Sequence, residues 1–517
     1  MDNRAHNWFF PLHSASHSKI IALWAGPIVA AVLISFFHPD RTHPEIGYTL
    51  AIAVWMAIWW ISEAVPLAIT SLLPVPLFPL LSIMDGQAVS SAYFNHVIFL
   101  FIGGFLIALA MQRWNLHKRI ALTILNIAGT GKSRLLLGFM LATALLSMWM
   151  SNTATAMMMV PIMISVLTEI EPEPATKKSF SLGLLLGVAY SASIGGTMTL
   201  VGTPPNLSFL RIYQVMFPHA PSITFLQWML FALPTGLLLL VAAFILLYLK
   251  YIKGTATNQA AKDLPLLQMK KDLGPMSREE RIVLISFLLM ALLWITRSDI
   301  EIGATVLKGW ASFFGKPAFI NDGTVAIALS LPLFMISAKG HAGSRIMDWE
   351  TASHLPWDIV LLFGGGFALA NGFRDSGLSL WLGGQLQGIS VLSPILIILI
   401  ICLFVTFLTE LTSNTATTEM MLPVLSGMAI ATHTHPLLFM VPATLSASMA
   451  FMLPAATPPN AIIFGTRRIT ISEMARTGFW LNLIGAAIVT ALFYFLGSAV
   501  FNISPGEFPV WAVQSVK

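Results

Sequence analysis

The sequence predicts an all-α polytopic membrane protein of about 11 transmembrane helices plus two re-entrant hairpins, arranged as inverted repeats. Three observations carry this. Of the 517 residues, 56% are hydrophobic and 10% charged, against about 25% charged in a soluble domain. The apolar residues fall in runs of roughly 20, the length that crosses a bilayer as a helix. The pattern Ser-Asn-Thr occurs once in each half, at Ser151–Thr153 and Ser413–Thr415.

The elements follow in order. The chain is polar to about Ser18 and apolar over 20–37. That run exceeds a signal-peptide core and ends in His38-Pro39-Asp40-Arg41, with no small-residue cleavage site, so it is expected to stay as the first span. Further candidate spans are 47–62, 66–84, 95–112, 180–216 (interrupted), 223–249, 281–297, 322–338, 357–373, 436–465 (interrupted) and 475–500. Segments 135–168 and 393–430 are long enough to enter the membrane but carry Ser-Asn-Thr at their centres. They are expected to turn back.

Charge placement supports this order. With the N-terminus cytoplasmic and both hairpins returning to their own side, 21 of the 28 Lys and Arg fall on the cytoplasmic face. They include Arg4, Lys19, Arg113, Lys118, Arg119, Lys132, Arg134, Lys177 and Lys178, the seven cations from Lys250 to Arg281, and Lys339, Arg345, Arg467, Arg468 and Arg476. Only Arg41, Arg211, Arg297, Lys308, Lys316, Arg374 and Lys517 fall outside. The bias is the positive-inside pattern, and it accounts for the net charge of +5 without an anionic macromolecule. No nucleic-acid partner is expected. The lone Cys402 excludes a disulfide framework. The polar stretch Lys250–Arg281 divides the chain near its middle.

The halves resemble each other. Phe101-Ile-Gly-Gly-Phe105 matches Phe363-Gly-Gly-Gly-Phe367, and Ser151-Asn-Thr-Ala-Thr155 matches Ser413-Asn-Thr-Ala-Thr417, both 262 residues apart. Pro161 and Pro423 keep that offset, and Gly202-Thr-Pro-Pro-Asn206 matches Ala456-Thr-Pro-Pro-Asn460. An odd number of expected spans separates the hairpins, so the repeats have opposite orientation. Inverted repeats with broken helices are the architecture of secondary transporters.

The motifs have a physical reading. Ser, Asn and Thr cap helix N-termini, and Ser151–Thr153 is followed by an apolar helical segment. The second helix therefore points its N–H groups at the hairpin tip, which favours a carboxylate. Carbonyls that end the first helix favour a cation at the same place. Two prolines in Gly202–Asn206 break the next helix, with Thr203 at the N-cap and Pro204 at the first helical position. Carbonyls freed at membrane depth need a partner, and sodium would serve. One Ser-Asn-Thr alone is commonly helix–helix glue. Both motifs, in order, in both halves, point to a binding site.

Other signals are weaker. Gly129-Thr-Gly131-Lys132-Ser133 ends like a phosphate loop, but Asn126 stands where the first glycine belongs. Glu63 and Glu410 lie at apolar depth and are expected to be hydrogen-bonded structural groups. His433 and His435 are expected in a solvated outer loop. No His cluster, paired aspartates or nucleophile elbow supports an enzyme.

With these residues in view, the chain resembles the divalent anion/sodium symporter family, which includes dicarboxylate and citrate carriers. The matching pieces are Trp59-Trp60-Ile-Ser-Glu63-Ala-Val-Pro66, Ser147-Met-Trp-Met-Ser151-Asn-Thr-Ala-Thr155, Gly202–Asn206, Thr409-Glu-Leu-Thr-Ser413-Asn-Thr-Ala-Thr417 and Ala456–Asn460. Ala455 and Ile463 fit the family's C-terminal signature more loosely. The resemblance implies one sodium site at Ser147, Ser151, Asn152 and Gly202, and a second at Thr409, Ser413, Asn414 and Ala456. It implies substrate contacts from Asn152, Thr153, Thr203, Pro204, Ser413, Asn414, Thr415, Thr457 and Pro458. It also implies a homodimer in which a transport domain slides past a scaffold.

The expected division is a cytoplasmic N-terminus 1–19, scaffold helices 20–134, transport elements 135–249, a cytoplasmic linker 250–281, scaffold helices 282–392, transport elements 393–500 and an outer-face tail 501–517. The expected function is sodium-coupled symport of C4-dicarboxylates such as succinate, malate or fumarate across the inner (cytoplasmic) membrane, with Na⁺ as coupling ion. The alternatives are a sodium-independent exchanger of di- or tricarboxylates with the same fold, or a citrate or sulfate carrier. No Lys or Arg lies in the paired motifs. A dianion there needs the sodium charge, because an uncompensated charge is costly in a medium of low dielectric.

The topology is testable by labelling. With Cys402 first replaced, Lys177→Cys is expected to label from the cytoplasm and His433→Cys from outside. Labelling of both from one side would exclude the inverted arrangement.

Overall fold

A computed structural model describes residues 17–170, 179–253, 265–302, 305–339, 344–385, 392–504 and 507–514. Arg4, Lys177, Lys178, Lys262 and Lys517, used above in the charge count, lie outside the described residues. So do most of the expected N-terminus and parts of the linker and tail.

Among the described residues the chain is helical apart from a two-stranded ribbon, Ile300–Ile302 with Thr305–Leu307. Seven helices among the described residues are long and apolar enough to cross a membrane, and four apolar stretches are shorter. Expected span 66–84 is not one helix. It forms Leu67–Thr70 and Pro74–Leu80, because Pro66, Pro74, Pro76 and Pro79 remove N–H donors along the run. Span 322–338 shortens to Asp322–Ser330 and a 3₁₀ turn, Leu331–Phe334, that contains Pro332. The basic segment after 113 contains a helix, Leu116–Ala128, with Leu116, Ala121, Leu122 and Leu125 buried on one face. That spacing is amphipathic rather than spanning. Arg119 ties it to Glu280 through Nε–Oε1 at 2.9 Å and Nη2–Oε2 at 3.0 Å. Gly129, at φ +91°, ends this helix, so the glycines that resembled a phosphate loop make a helix–helix turn.

The order of elements repeats. Helices His96–Arg113 and Trp357–Asp375 open the two repeats. Each is followed by a short helix and then a hairpin. The hairpins are Lys132–Ser147 with Asn152–Ile170, and Pro394–Thr409 with Asn414–Ala431. Their first arms have 16 residues each, about 24 Å of helix, too short for a hydrocarbon core of about 30 Å, whereas the second arm Asn152–Ile170 is one of the seven helices long enough to cross. The broken helices follow as Ser179–Thr197 with Pro204–Met216, and Leu437–Ala447 with Pro458–Gly465. Each repeat closes on a long helix that ends in a π-helical turn, at Tyr248–Ile252 and Phe493–Gly497.

Exposure separates inside from lipid. Trp24, Ile285, Leu288, Leu292 and Phe404 are apolar and more than half exposed, as a lipid-facing surface requires. Helix Ser179–Thr197 is the opposite, with every residue from Phe180 to Thr197 buried. A helix buried all round sits inside its bundle. It packs on both arms of the first hairpin and on Pro458–Gly465 of the other half. In turn Pro204–Met216 packs on the second hairpin. Each half's broken helix thus lies against the other half's hairpin.

Close packing at this centre depends on glycine. A Cβ on Gly195 would meet the Ala144 carbonyl oxygen and lie 2.6 Å from its Cα. Gly195→Ala is expected to cost about 1–3 kcal/mol through overpacking, read as a lower midpoint of thermal unfolding in detergent. Gly384→Ala, with nothing within 4 Å of the added carbon, is the control. Equal midpoints would contradict the close contact.

Candidate functional site

The two hairpin tips are built alike. In the first, Ser151 Oγ accepts the Ala154 N–H at 3.1 Å, the expected N-cap bond. Ser147 Oγ lies 2.6 Å from Asn152 Oδ1 and 2.7 Å from the Ala192 carbonyl oxygen. In the second, Ser413 Oγ accepts the Ala416 N–H at 3.2 Å. Thr409 Oγ1 lies 2.9 Å from Asn414 Oδ1 and 2.8 Å from the Ala447 carbonyl oxygen. In both, a hydroxyl with one proton faces two acceptor oxygens. Each tip therefore gathers oxygens from the hairpin's first arm, its second arm and the neighbouring broken helix.

Gly202 joins the first cluster. A Cβ at Gly196 would lie 2.5 Å from Asn152 Oδ1 and 3.1 Å from the Gly202 carbonyl oxygen. One at Gly202 would lie 2.5 Å from the Gly196 carbonyl oxygen and 2.9 Å from that of Met148. Glycine at both positions lets four oxygen-bearing segments approach. The second half has Ala456, a buried alanine, at the position of Gly202.

The breaks are held from three sides. Asn206 Nδ2 donates to the carbonyls of Gly196 and Thr197, both at 3.3 Å, and of Thr199 at 2.7 Å. Asn460 Nδ2 donates to Ala450 and Leu453, both at 3.0 Å. The carbonyls freed before Gly202 thus find a protein partner, where the sequence pointed to a cation. The last Asn of each Thr-Pro-Pro-Asn motif is a positioning group. Thr203 and Thr457 stand at the N-caps ahead of Pro204 and Pro458. Thr457 Oγ1 accepts from the Asn460 N–H at 3.5 Å, whereas Thr203 makes no capping bond. Asn152, Thr153 and Asn414 are half-buried, while Thr203, Thr415 and Thr457 are buried.

Met148 and Glu410 occupy matching places at the ends of the first arms. The Met148 carbonyl accepts from the Thr199 hydroxyl, and Thr199 Oγ1 accepts the Gly202 N–H at 3.1 Å. Glu410 uses its side chain. Its carboxylate accepts from the N–H groups of Phe451, Met452 and Leu453 at 2.7, 2.9 and 3.0 Å and from Asn482 Nδ2 at 2.7 Å. Glu410 is therefore the hydrogen-bonded structural group the sequence indicated. Glu63 is not. It is exposed, in the left-handed conformation at φ +48°, at the end of helix Pro44–Ser62. His435 departs from the solvated loop too. It is buried, its Nδ1 accepting the Leu437 N–H at 3.3 Å and its ring set against Trp511.

Two features escaped the sequence reading. Ser191-Ala192-Ser193 and Ser446-Ala447-Ser448 are a further repeat, which supplies the carbonyls that meet Ser147 and Thr409. Among the described residues, the flanking hydroxyls of Ser191, Ser193 and Ser448 are buried without a hydrogen-bond partner. The repeat is visible in the sequence but short and apolar in context. Glu419 is the other. It is fully buried on the second arm of the second hairpin, where Oε1 accepts from Ser208 Oγ at 2.5 Å. That bond joins the second hairpin to the first half's broken helix. A Cβ at Gly366 would collide with the Glu419 carboxylate.

The family described as "Sodium:sulfate symporter transmembrane region" matches residues 17–502. The chain is 46% identical over 500 residues to a "Sodium-dependent dicarboxylate transporter SdcS" of Staphylococcus aureus strain bovine RF122 / ET3-1, covering 94% of this chain and 93% of that one. It is 45% identical, with the same coverage, to the protein of that name in strain MRSA252. Among solved structures, the Alcanivorax borkumensis YdaH transporter aligns with a TM-score of 0.55 at 13% identity, over 93% of this chain and 99% of that one. Neisseria gonorrhoeae MtrF aligns with the same score and identity over 82% and 85%. At that identity the two structures speak for the fold alone. A match spanning nearly the whole chain, with both Ser-Asn-Thr hairpins and both Pro-Pro breaks inside it, makes this chain a member of the sodium:sulfate symporter family and a multi-pass membrane transporter.

Proposed function

We propose that this transporter is a sodium-coupled symporter of C4-dicarboxylates such as succinate, malate or fumarate. The observation that carries the reading is the pair of oxygen clusters at the hairpin tips. Ser147, Ser151, Asn152 and Gly202 hold one sodium ion. Thr409, Ser413, Asn414 and Ala456 hold the other. Side-chain and carbonyl oxygens are the ligands a hard monovalent cation takes. The carboxylates of the substrate meet Asn152, Thr153, Ser413, Asn414 and Thr415, with Thr203, Pro204, Thr457 and Pro458 closing the site. Helix N-termini at both tips favour the anion. The sodium ions supply full positive charge where the motifs have none. The S. aureus relatives, sodium-dependent dicarboxylate transporters by name, support the same substrate and ion.

The transport unit comprises the hairpins and broken helices, 135–249 and 393–500, and moves as an elevator past the scaffold helices. The protein works as a homodimer in the inner membrane with its N-terminus cytoplasmic. One observation favours a second reading, a sodium-independent exchanger. Ser147 with Asn152, and Thr409 with Asn414, already satisfy each other by hydrogen bonds, so the tips can close without an ion.

Uptake of radiolabelled succinate into vesicles separates the two. Symport gives flux driven by an inward sodium gradient without internal substrate, and exchange gives flux only with internal counter-substrate. In the same assay Asn152→Ala and Asn414→Ala are expected to abolish uptake while the protein stays in the membrane. Thr153→Ala or Thr415→Ala removes one hydroxyl bond, worth about 0.5–1.5 kcal/mol, and is expected mainly to weaken affinity. Normal uptake by both Asn variants would place the site elsewhere.

A further inference from the structure

Away from the tips, Lys250, Arg467, Arg468 and Arg476 line one cleft of about 460 Å³. The cleft is assembled from both halves of the chain. Lys250 comes from the π-helical end of helix 225–252, Arg467 and Arg468 from the turn after Pro458–Gly465, and Arg476 from helix Ile471–Leu492. Glu473 is the one carboxylate in the lining. Its Oε2 accepts the Thr470 N–H at 2.9 Å and the Thr470 hydroxyl at 2.7 Å in the helix cap, so a single carboxylate faces the four cations. Among the described residues, none of the four cations makes an ion pair.

The cleft differs from a solvated basic surface in three respects. Lys250 Nζ is fixed by a neutral partner, donating to the buried Thr477 hydroxyl at 2.8 Å, and lies 5.3 Å from the centre of the Tyr251 ring. Tyr251 OH lies 2.6 Å from that same hydroxyl, so the ammonium and the phenol share one anchor. Arg467 adopts φ +57°, a conformation that non-glycine residues seldom hold and that clusters at functional sites. Leu182, Tyr251 and Ile469 are each under a tenth exposed and give the cleft an apolar wall. Four cations facing one carboxylate leave an excess of positive charge in the concavity, which a further anion relieves. Guanidinium forks match phosphate oxygens in pairs. Basic pockets at the ends of membrane helices, beside an apolar wall, suit phosphate headgroups.

We propose that this cleft binds a phosphate-bearing anion, either the headgroup of an anionic phospholipid or a soluble phosphate. The bound group bridges the two repeats by joining the C-terminal end of the first closing helix, at Lys250, to the N-terminal start of the second, at Arg476. This site is separate from the carboxylate site and does not depend on which substrate the tips carry.

The test uses the full-length protein in detergent, with native mass spectrometry and thermal unfolding as readouts. The probes are phosphatidylglycerol, phosphatidylcholine and inorganic phosphate. Wild-type protein is expected to retain phosphatidylglycerol roughly tenfold over phosphatidylcholine, and Arg467→Gln/Arg468→Gln to lose that preference. Lys270→Gln/Lys271→Gln removes the same charge from another basic segment and is expected to keep it. Stabilisation by inorganic phosphate, lost in the same arginine variant, with no lipid preference, assigns the site to a soluble phosphate. Lys250→Gln repeats the measurement if the double variant fails to fold. Equal behaviour of the arginine and lysine variants, or no response of the wild type to either phosphate probe, would overturn the proposal.

Discussion

The structure depends on one constraint. Backbone polar groups released inside a membrane must be satisfied by the protein itself. Both halves break a central helix, at 198–203 and 448–457, and so release such groups at depth. The hairpins answer this. The end of each first arm, Met148 or Glu410, takes hydrogen bonds from the broken segment beside it. Asn206 and Asn460 take the carbonyls from the other side. These bonds tie each tip to the broken helix beside it. The same contacts bring hydroxyl, amide and carbonyl oxygens together at Asn152 and Asn414.

The two halves meet the constraint by different chemistry. The first relies on close approach, with Gly196 and Gly202 admitting the Asn152 side chain and the Met148 carbonyl. The second relies on charge, with Glu410 collecting three backbone N–H groups and one amide. An N–H left unpaired in the interior costs about 1–3 kcal/mol, and the bonds Glu410 makes to three of them offset the cost of desolvating its own carboxylate. A carboxylate beside the second cluster and none in the corresponding place of the first makes the clusters electrostatically unequal. Two cation sites related by the repeat are then expected to differ in affinity.

Much of this was legible in the sequence. Long motifs repeated in order revealed the hairpins, the breaks and the serine caps, because proline and N-cap residues act locally and leave a local trace. One failure was local: 66–84 looked like one span because its residues are apolar, yet its prolines, plain in the sequence, forbid a continuous helix. The others were non-local. Glu63 and Glu410 look alike in sequence, but one ends a helix in the open and the other receives four donors from distant segments. Glu419 gave no local signal, since its meaning lies in Ser208 and Gly366, far away in the chain. His435 depends on a C-terminal helix that covers it.

The central claim is that cations complete the tips before a dianion can enter. Binding and linkage make it quantitative, since substrate must raise sodium affinity by the factor by which sodium raises substrate affinity. Equilibrium binding of succinate to the purified protein, by calorimetry in sodium and in choline buffers of equal ionic strength, tests this most directly. The account predicts tight binding in sodium, a steep dependence on its concentration and no measurable binding in choline. Equal affinity in the two buffers would contradict it.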